Sequence, residues 1–462
     1  MGKSLPVLNS FLNNLSSLGS SAVSRFESLR PGPGIAAPGD GRTVDDFKPY
    51  LVALNLTSRC NLKREHCYLD ATTKMSGGHD ELTTEECFRL IDQIAEVNRG
   101  SLLVITGGEP LVRPDILDIA RHAVKLQFMV VFGTNGMLID DAMAKEMVEI
   151  RVMGVGISID SLDPATHNAF RGMPNAWEGA LAGIEACKRN GLQFQVHFSA
   201  QPMNYKELPA VIDWSHDLGA KVLNVFFMVC TGRGEELTDI TPSQYEEVLV
   251  HLIESQDKYQ DMLVRARCAP HFKRLAYEKD PNSPITKAKG YMGGGCLAGT
   301  NYARVTPNGD LTPCPYMPLS AGNIRDNSFV DLWENSEIFD SFRYPHLKGK
   351  CGDCEYSEIC GGCRARPYVD HGDWMDEDEW CLYTPKGGEK IQVAFNVPEA
   401  SSVEWDQASE ERLSRIPYFL RAMVKKGVER HAVEEGIPVV TIELMEELRK
   451  RRFGNEKPVF KF

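Results

Sequence analysis

The chain has 462 residues, about three domains' worth by length. With 25% charged and 42% hydrophobic residues it has a globular balance, which excludes collagen, coiled coil or disorder as a description of the whole. Lys plus Arg is 51 and Asp plus Glu is 64, and the net charge of −13 argues against nucleic acid as a partner. No uncharged apolar run approaches the ~18 residues of a membrane span. Thirteen cysteines are the odd feature: two lie near residue 60, and seven fall between Cys296 and Cys381. In a long chain without a secretory signal, clustered cysteines suggest metal before disulfide, and a reducing, cytoplasmic location is expected.

In chain order, Leu8, Phe11, Leu12, Leu15 and Leu18 recur at helical spacing before Pro31-Gly32-Pro33-Gly34 breaks the pattern. Residues 1–45 therefore read as an amphipathic segment and linker. It either packs on the main body or serves a partner or membrane surface, the latter weakened by the shortage of Lys and Arg. From Tyr50, short apolar runs of strand length alternate with helical patterns: Leu51–Leu56, Leu102–Ile105, Met129–Phe132, Val155–Ile159, Phe194–Phe198 and Val222–Met228. Thr83 to Glu86 forms a capping box that opens a helix with Cys87, Leu90, Ile91 and Ile94 on one face. Such alternation implies an α/β parallel sheet, and six units over residues 46–240 suit a partial (β/α)6 TIM-type barrel.

Residues 241–290 read as a connecting helical segment. Residues 291–390 are rich in Gly, Pro and Cys, so metal sites are expected to hold a thin core together. Residues 391–405 read as a linker. Residues 406–462, with Leu413, Ile416, Leu420, Val424 and Ile442–Arg452, form a small α-helical C-terminal domain. Cys87, Cys187 and Cys230 lie in apolar patterns and read as core.

Directly after the first strand comes Thr57-Ser58-Arg59-Cys60-Asn61-Leu62-Lys63-Arg64-Glu65-His66-Cys67-Tyr68. This stretch resembles the cluster loop of radical S-adenosylmethionine (SAM) enzymes. The resemblance implies a 4Fe-4S cluster held by Cys-x3-Cys-x2-Cys, SAM on the open iron, and a 5′-deoxyadenosyl radical that abstracts a substrate hydrogen. Cys60 and Cys67 match the outer ligands, while the middle position is Arg64. A guanidinium stays protonated and offers no lone pair, so it cannot ligate iron. The resemblance extends to Gly107-Gly108-Glu109-Pro110 after the second strand, which in the family holds the amino group of SAM. It also covers Thr134-Asn135 after the third strand. Ser158 and Asp160 end the fourth and imply contacts to the ribose or carboxylate of SAM; Ser158 alternatively is a strand-end hydroxyl. Arg171 matches a family arginine near the SAM carboxylate, the alternative being a surface charge.

Cys296, Cys314, Cys351, Cys354, Cys360, Cys363 and Cys381 resemble the SPASM extension, a seven-cysteine module for two auxiliary 4Fe-4S clusters. Zinc is the rival ligand for the paired Cys-x2-Cys motifs. Gly361-Gly362 places two residues where the family usually has three between its fifth and sixth cysteines. Family topology implies that Cys351, Cys354, Cys360 and Cys381 hold the outer cluster and that Cys296, Cys314 and Cys363 hold the inner one. Cys268 is either the fourth inner ligand or a buried thiol.

Within SPASM enzymes, Arg267-Cys268-Ala269-Pro270-His271, Gly293-Gly294-Gly295-Cys296, Pro313-Cys314-Pro315-Tyr316 and Glu377-Asp378-Glu379-Trp380-Cys381 resemble the tetrapyrrole-modifying branch of haem biosynthesis. Residues from Arg415-Ile416-Pro417-Tyr418 to Val440-Thr441 resemble the C-terminal domain of the light-independent protochlorophyllide reductase B subunit. The implied substrate is an iron porphyrin whose propionate or acetate side chain is oxidatively decarboxylated or removed, with a donor such as ferredoxin or flavodoxin supplying electrons. Arg233, Arg364 and Arg366 are either carboxylate partners or solvated charges. His197 and His271 either touch haem iron or are structural. Two other readings stand beside this one: a peptide or protein maturase, and a non-catalytic iron–sulfur protein that has lost a SAM-cluster ligand.

Overall fold

A computed structural model describes residues 47–63, 67, 69, 71, 80–229, 239–259, 261–287, 295–391, 403–414, 424–425, 427–429, 431–433 and 435–453. The amphipathic pattern at Leu8–Leu18, Arg64, Cys230, Arg233, Gly293-Gly294 and Arg415–Arg421 lie outside these residues.

Six strands arise where the apolar runs place them: β1 (Leu51–Asn55), β2 (Leu102–Thr106), β3 (Met129–Thr134), β4 (Gly154–Ser158), β5 (Phe194–Ala200) and β6 (Val222–Phe227). They pair in parallel in sequence order. Between them run α1 (Thr84–Asn98), α2 (Ile116–Lys125), α3 (Asp141–Ile150), α4 (Pro164–Arg171) with α5 (Ala176–Asn190), and α6 (Leu208–Asp217). The capping box of α1 is formed by Thr83 and Glu86, and the helix buries Cys87, Leu90, Ile91 and Ile94.

Strand alternation separates two faces. On β5, Phe194, Val196, Phe198 and Ala200 are buried in the core shared with the helices, while Gln195, His197 and Ser199 are only half-buried on the other face. Parallel strands normally fill both faces with aliphatic side chains. Here the second face carries Gly133, Gly156, Ser158, His197 and Asn224 instead. A Cβ on Gly156 would lie 2.2 Å from the His197 ring, so the missing side chain makes room for the imidazole.

The sheet is larger than six strands. The segment expected as a helical connection holds α7 (Pro242–Lys258) and then β7 (Leu263–Arg267), which pairs parallel with β6. Arg265 and Arg267 interrupt the apolar signal of this strand. At the opposite edge, β8 (Tyr302–Val305) pairs parallel with β1, and β9 (Leu311–Thr312) closes a hairpin on β8. The cysteine-rich region is thus anchored to the barrel sheet.

Near the C-terminus, Val403, Val428, Ala432, Val440, Leu444 and Met445 form a separate small core. Besides its helices, including Gln407–Ser414 and Ile442–Phe453, this region pairs Glu404–Trp405 with Val439–Val440 in parallel. No described helix is long and apolar enough to cross a membrane.

Candidate functional site

The loop after β1 carries Cys60 and Cys67, both buried. Glu81 clamps its start: the carboxylate accepts from the Thr57 hydroxyl at 2.9 Å, the Ser58 N–H at 2.8 Å and the Ser58 hydroxyl at 3.0 Å. The Leu62 N–H points at the Cys60 sulfur (3.4 Å) and the Ala71 N–H at the Cys67 sulfur (3.3 Å). Glu81 was not among the residues singled out from sequence. Its only signal was a carboxylate just ahead of the α1 cap.

The turn after β2 meets this loop backbone to backbone. Gly108 N–H donates to Thr57 O and Glu109 N–H to Arg59 O, both at 2.8 Å. Gly107 has φ of +147°, and a Cβ there would lie 2.4 Å from Thr57 O. Pro110 opens a short 3-10 turn, Pro110–Val112. Glu109 is fully buried; its carboxylate accepts from the Thr134 hydroxyl (2.7 Å), the Asn135 N–H (2.8 Å) and the Leu111 N–H (3.2 Å). The Asn135 amide donates to Asn61 Oδ1 at 2.7 Å, which ties the β3 end to the cysteine loop. The structure therefore assembles Cys60, Cys67, Gly107–Pro110, Thr134 and Asn135 at one end of three adjacent strands.

Ser158 ends β4 on the open face, in register with His197. Asp160 and Arg171 are both buried and form an ion pair at 2.5 Å, so Arg171 is not a surface charge. His167, also buried, accepts at Nδ1 from the Asp160 N–H at 3.2 Å. Burial, and then the Arg171 charge, hold its pKa down at about 4 against an ordinary 6.5. Below pH 6.5 the unfolded chain takes up a proton that the folded chain refuses. Stability is therefore expected to fall as pH drops from 6.5 towards 4, by up to about 1.4 kcal/mol per unit. Denaturant titrations at pH 7 and 4.5 check this: His167→Asn, which keeps an acceptor but cannot charge, should lose measurably less stability on acidification than the parent. Equal losses would refute it.

In the cysteine-rich region the thiols sort into two sets. Burial, reinforced by mutual proximity, raises the pKa of Cys268, Cys314 and Cys363, and Cys296 is a neighbour of all three. Cys351, Cys354, Cys360 and Cys381 instead line one small cavity together with His271, Arg274 and Tyr356. Among the described residues no group of three or more His, Cys, Asp or Glu closes around a single ion. Four sulfurs around a cavity suit a polynuclear cluster, and each set has a full complement of thiol donors. The short Cys360–Cys363 link is made by Gly361 and Gly362 in the left-handed region, at φ of +64° and +69°. A Cβ on Gly362 would lie 3.1 Å from the Cys351 sulfur.

The arginines here are not solvated. Arg364 donates to Trp374 O (3.0 Å) and Asp376 O (2.8 Å), and Arg366 pairs with Asp378 at 3.4 Å. His271 is buried, with Nδ1 3.0 Å from the Tyr245 hydroxyl and Nε2 3.5 Å from Asp378. Cys87 and Cys187 are core, their thiols pushed up by burial to about 11 and about 12.

A barrel sheet with a cysteine loop after β1, a Gly-Gly-Glu-Pro turn after β2 and eight further thiols in two sets is the framework of a radical SAM enzyme with auxiliary clusters. Residues 54–215 match the radical SAM superfamily and residues 296–364 the SPASM iron–sulfur cluster-binding domain. Residues 405–449 match the proto-chlorophyllide reductase 57 kD subunit. The fold is similar to Streptococcus suis SuiB bound to S-adenosylmethionine (TM-score 0.59, 17% identity, 73% of this chain and 78% of that one). The chain belongs to the radical SAM/SPASM family, whose cofactors are SAM and 4Fe-4S clusters.

Within that family it belongs to the tetrapyrrole branch. It is 39% identical over 343 residues to an AdoMet-dependent heme synthase of Methanosarcina barkeri, covering 73% of this chain and 97% of the relative. It is 30% identical over 353 residues to a pre-heme d1 synthase of Dinoroseobacter shibae (72% and 86%). The family makes this chain an enzyme of radical oxidoreductase type with a porphyrin-modifying role. The auxiliary donor sets fit their clusters. The set at the SAM site does not, because the sequence offers Cys60 and Cys67 but Arg64 between them.

Proposed function

We propose that the chain binds an iron porphyrin and is built to remove a propionate or acetate carboxyl from it, with SAM chemistry curtailed by Arg64. The observation that carries the reading is the likeness to a heme synthase across nearly all of that relative's length. In the family, bound SAM and cluster supply a 5′-deoxyadenosyl radical. On a propionate, loss of a hydrogen beta to the carboxylate would let the carbon–carbon bond to the carboxylate break, releasing carbon dioxide and leaving a vinyl group and one electron to be removed. Cys268, Cys296, Cys314 and Cys363 would hold the inner auxiliary cluster and Cys351, Cys354, Cys360 and Cys381 the outer, where one-electron exchange is the chemistry supplied. A small protein such as ferredoxin or flavodoxin is the proposed donor.

For SAM itself, Gly107, Gly108, Glu109 and Pro110 are the proposed cradle of the amino group. Thr134 and Asn135 brace Glu109 from behind. Ser158 is the proposed ribose contact, with the buried Asp160–Arg171 pair behind it at the β4 end. Binding tests the substrate reading without relying on the SAM site. Iron-coproporphyrin or didecarboxysirohaem added anaerobically to the reconstituted chain should shift the porphyrin absorption band saturably. An unshifted band with both would sink the reading and favour a peptide substrate.

A further inference from the structure

Arg366 lies at the seam between the two thiol sets and has no part in the chemistry described above. It is 3% exposed, on the helix Ala365–His371 that begins two residues after Cys363. Its guanidinium lies 4.0 Å over the Trp380 ring centroid and 5.1 Å over that of Tyr245. One nitrogen donates to the Cys268 carbonyl at 3.2 Å and another faces Asp378 at 3.4 Å, while Nε has no hydrogen-bond partner among the described residues. Asp378, with no exposed surface, accepts the Cys363 N–H at 2.7 Å on the same oxygen that faces Arg366. Its own N–H points at the Cys351 sulfur, 3.5 Å away. The charge of Arg366 is felt at Cys363 and Cys268 of the inner set. The Asp239 carboxyl is also within its reach, its pKa raised by burial to about 7.

A permanently charged side chain buried to 3% exposure is an expensive way to fill space. Aromatic faces could be packed by a Leu or Met of similar length. What such a group supplies is an unscreened field, and net local charge and hydrogen bonds are among the quantities that set an iron–sulfur potential. We propose that Arg366 is a positioning residue that raises the reduction potential of the inner auxiliary cluster, with Asp378 as its counterweight. This rests on the reading that Cys268, Cys296, Cys314 and Cys363 hold that cluster. The step concerned is one-electron: an electron from dithionite, passed through a mediator, converts the oxidised 2+ cluster to 1+, and no bond is made or broken. The cation stabilises the added negative charge.

The test is an EPR-monitored redox titration of the anaerobically reconstituted full chain, with iron counted in each sample. Arg366→Gln should cut the ratio of reduced to oxidised inner cluster at fixed potential by about tenfold, a downward shift of about 59 mV for a one-electron couple. Arg366→Lys should recover most of the shift. Asp378→Asn, which leaves Arg366 uncompensated, should move the potential the other way. Normal iron with unmoved potentials, or equal shifts in both clusters, would overturn the proposal. If both neutral variants lose iron, Arg366 is a folding element and the proposal is again overturned. If the parent chain itself binds no iron at these sites, the ligand reading fails first, which is a different result.

Discussion

Arg64→Cys should raise iron content by about four per chain and SAM cleavage by at least a hundredfold. Even partners outside the ligand shell of a metal site commonly alter affinity or activity by 10–100-fold, and a ligand itself counts for more. The surrounding frame is already in place: Cys60 and Cys67 are buried with N–H groups aimed at their sulfurs. The Gly-Gly-Glu turn is also pinned to the same loop. The substitution therefore needs to add one donor and no scaffold. Iron quantification and chromatography of 5′-deoxyadenosine, on parent and variant reconstituted side by side, check both numbers. No gain in iron would mean that this loop is not a cluster loop. Iron without SAM cleavage would point instead to an electron-transfer protein.

Gly108→Ala should do the reverse to that repaired protein. A Cβ at Gly108 would stand 2.2 Å from Arg59 O and 3.1 Å from Cys60 Cβ, and both neighbours are fixed by the loop backbone. Relief requires the turn after β2 to part from the loop after β1, which breaks the Gly108–Thr57 and Glu109–Arg59 hydrogen bonds. Overpacking of this kind costs about 1–3 kcal/mol, and SAM affinity should fall at least tenfold because the two halves of its site separate. Gly191→Ala is the control. Gly191 ends α5 at φ of +72° with nothing within 4 Å of an added Cβ, so it should cost about 1 kcal/mol and leave SAM binding alone. Equilibrium unfolding and SAM binding on both variants decide the matter. Similar SAM affinities would show that the contact between turn and loop does not shape the site.

How far the sequence speaks varies along the chain. β1 to β6 were legible because their core-facing positions carry Val, Ile, Leu and Phe without interruption. β7 was not, because Arg265 and Arg267 occupy its other face, and a charged strand has no periodic signal of its own. The cysteines were legible as a clustered set, yet spacing alone does not sort them into two groups. Cys268 lies far from Cys296 in sequence, and only the fold brings it to Cys314 and Cys363. Arg364 and Arg366 were open to a surface reading because most arginines are exposed; here aromatic rings and carbonyls enclose them. Glu81 escaped notice because a carboxylate ahead of a helix usually serves that helix.

The two consecutive left-handed glycines between Cys360 and Cys363 also act as a tether. One of these thiols lines the outer cavity and the other joins the inner set. Three residues of chain span at most about 11 Å. With the clusters held as proposed, the two centres could drift no further apart than this short leash and two side chains permit. An electron arriving at one of them would then find the other close by through covalent construction alone.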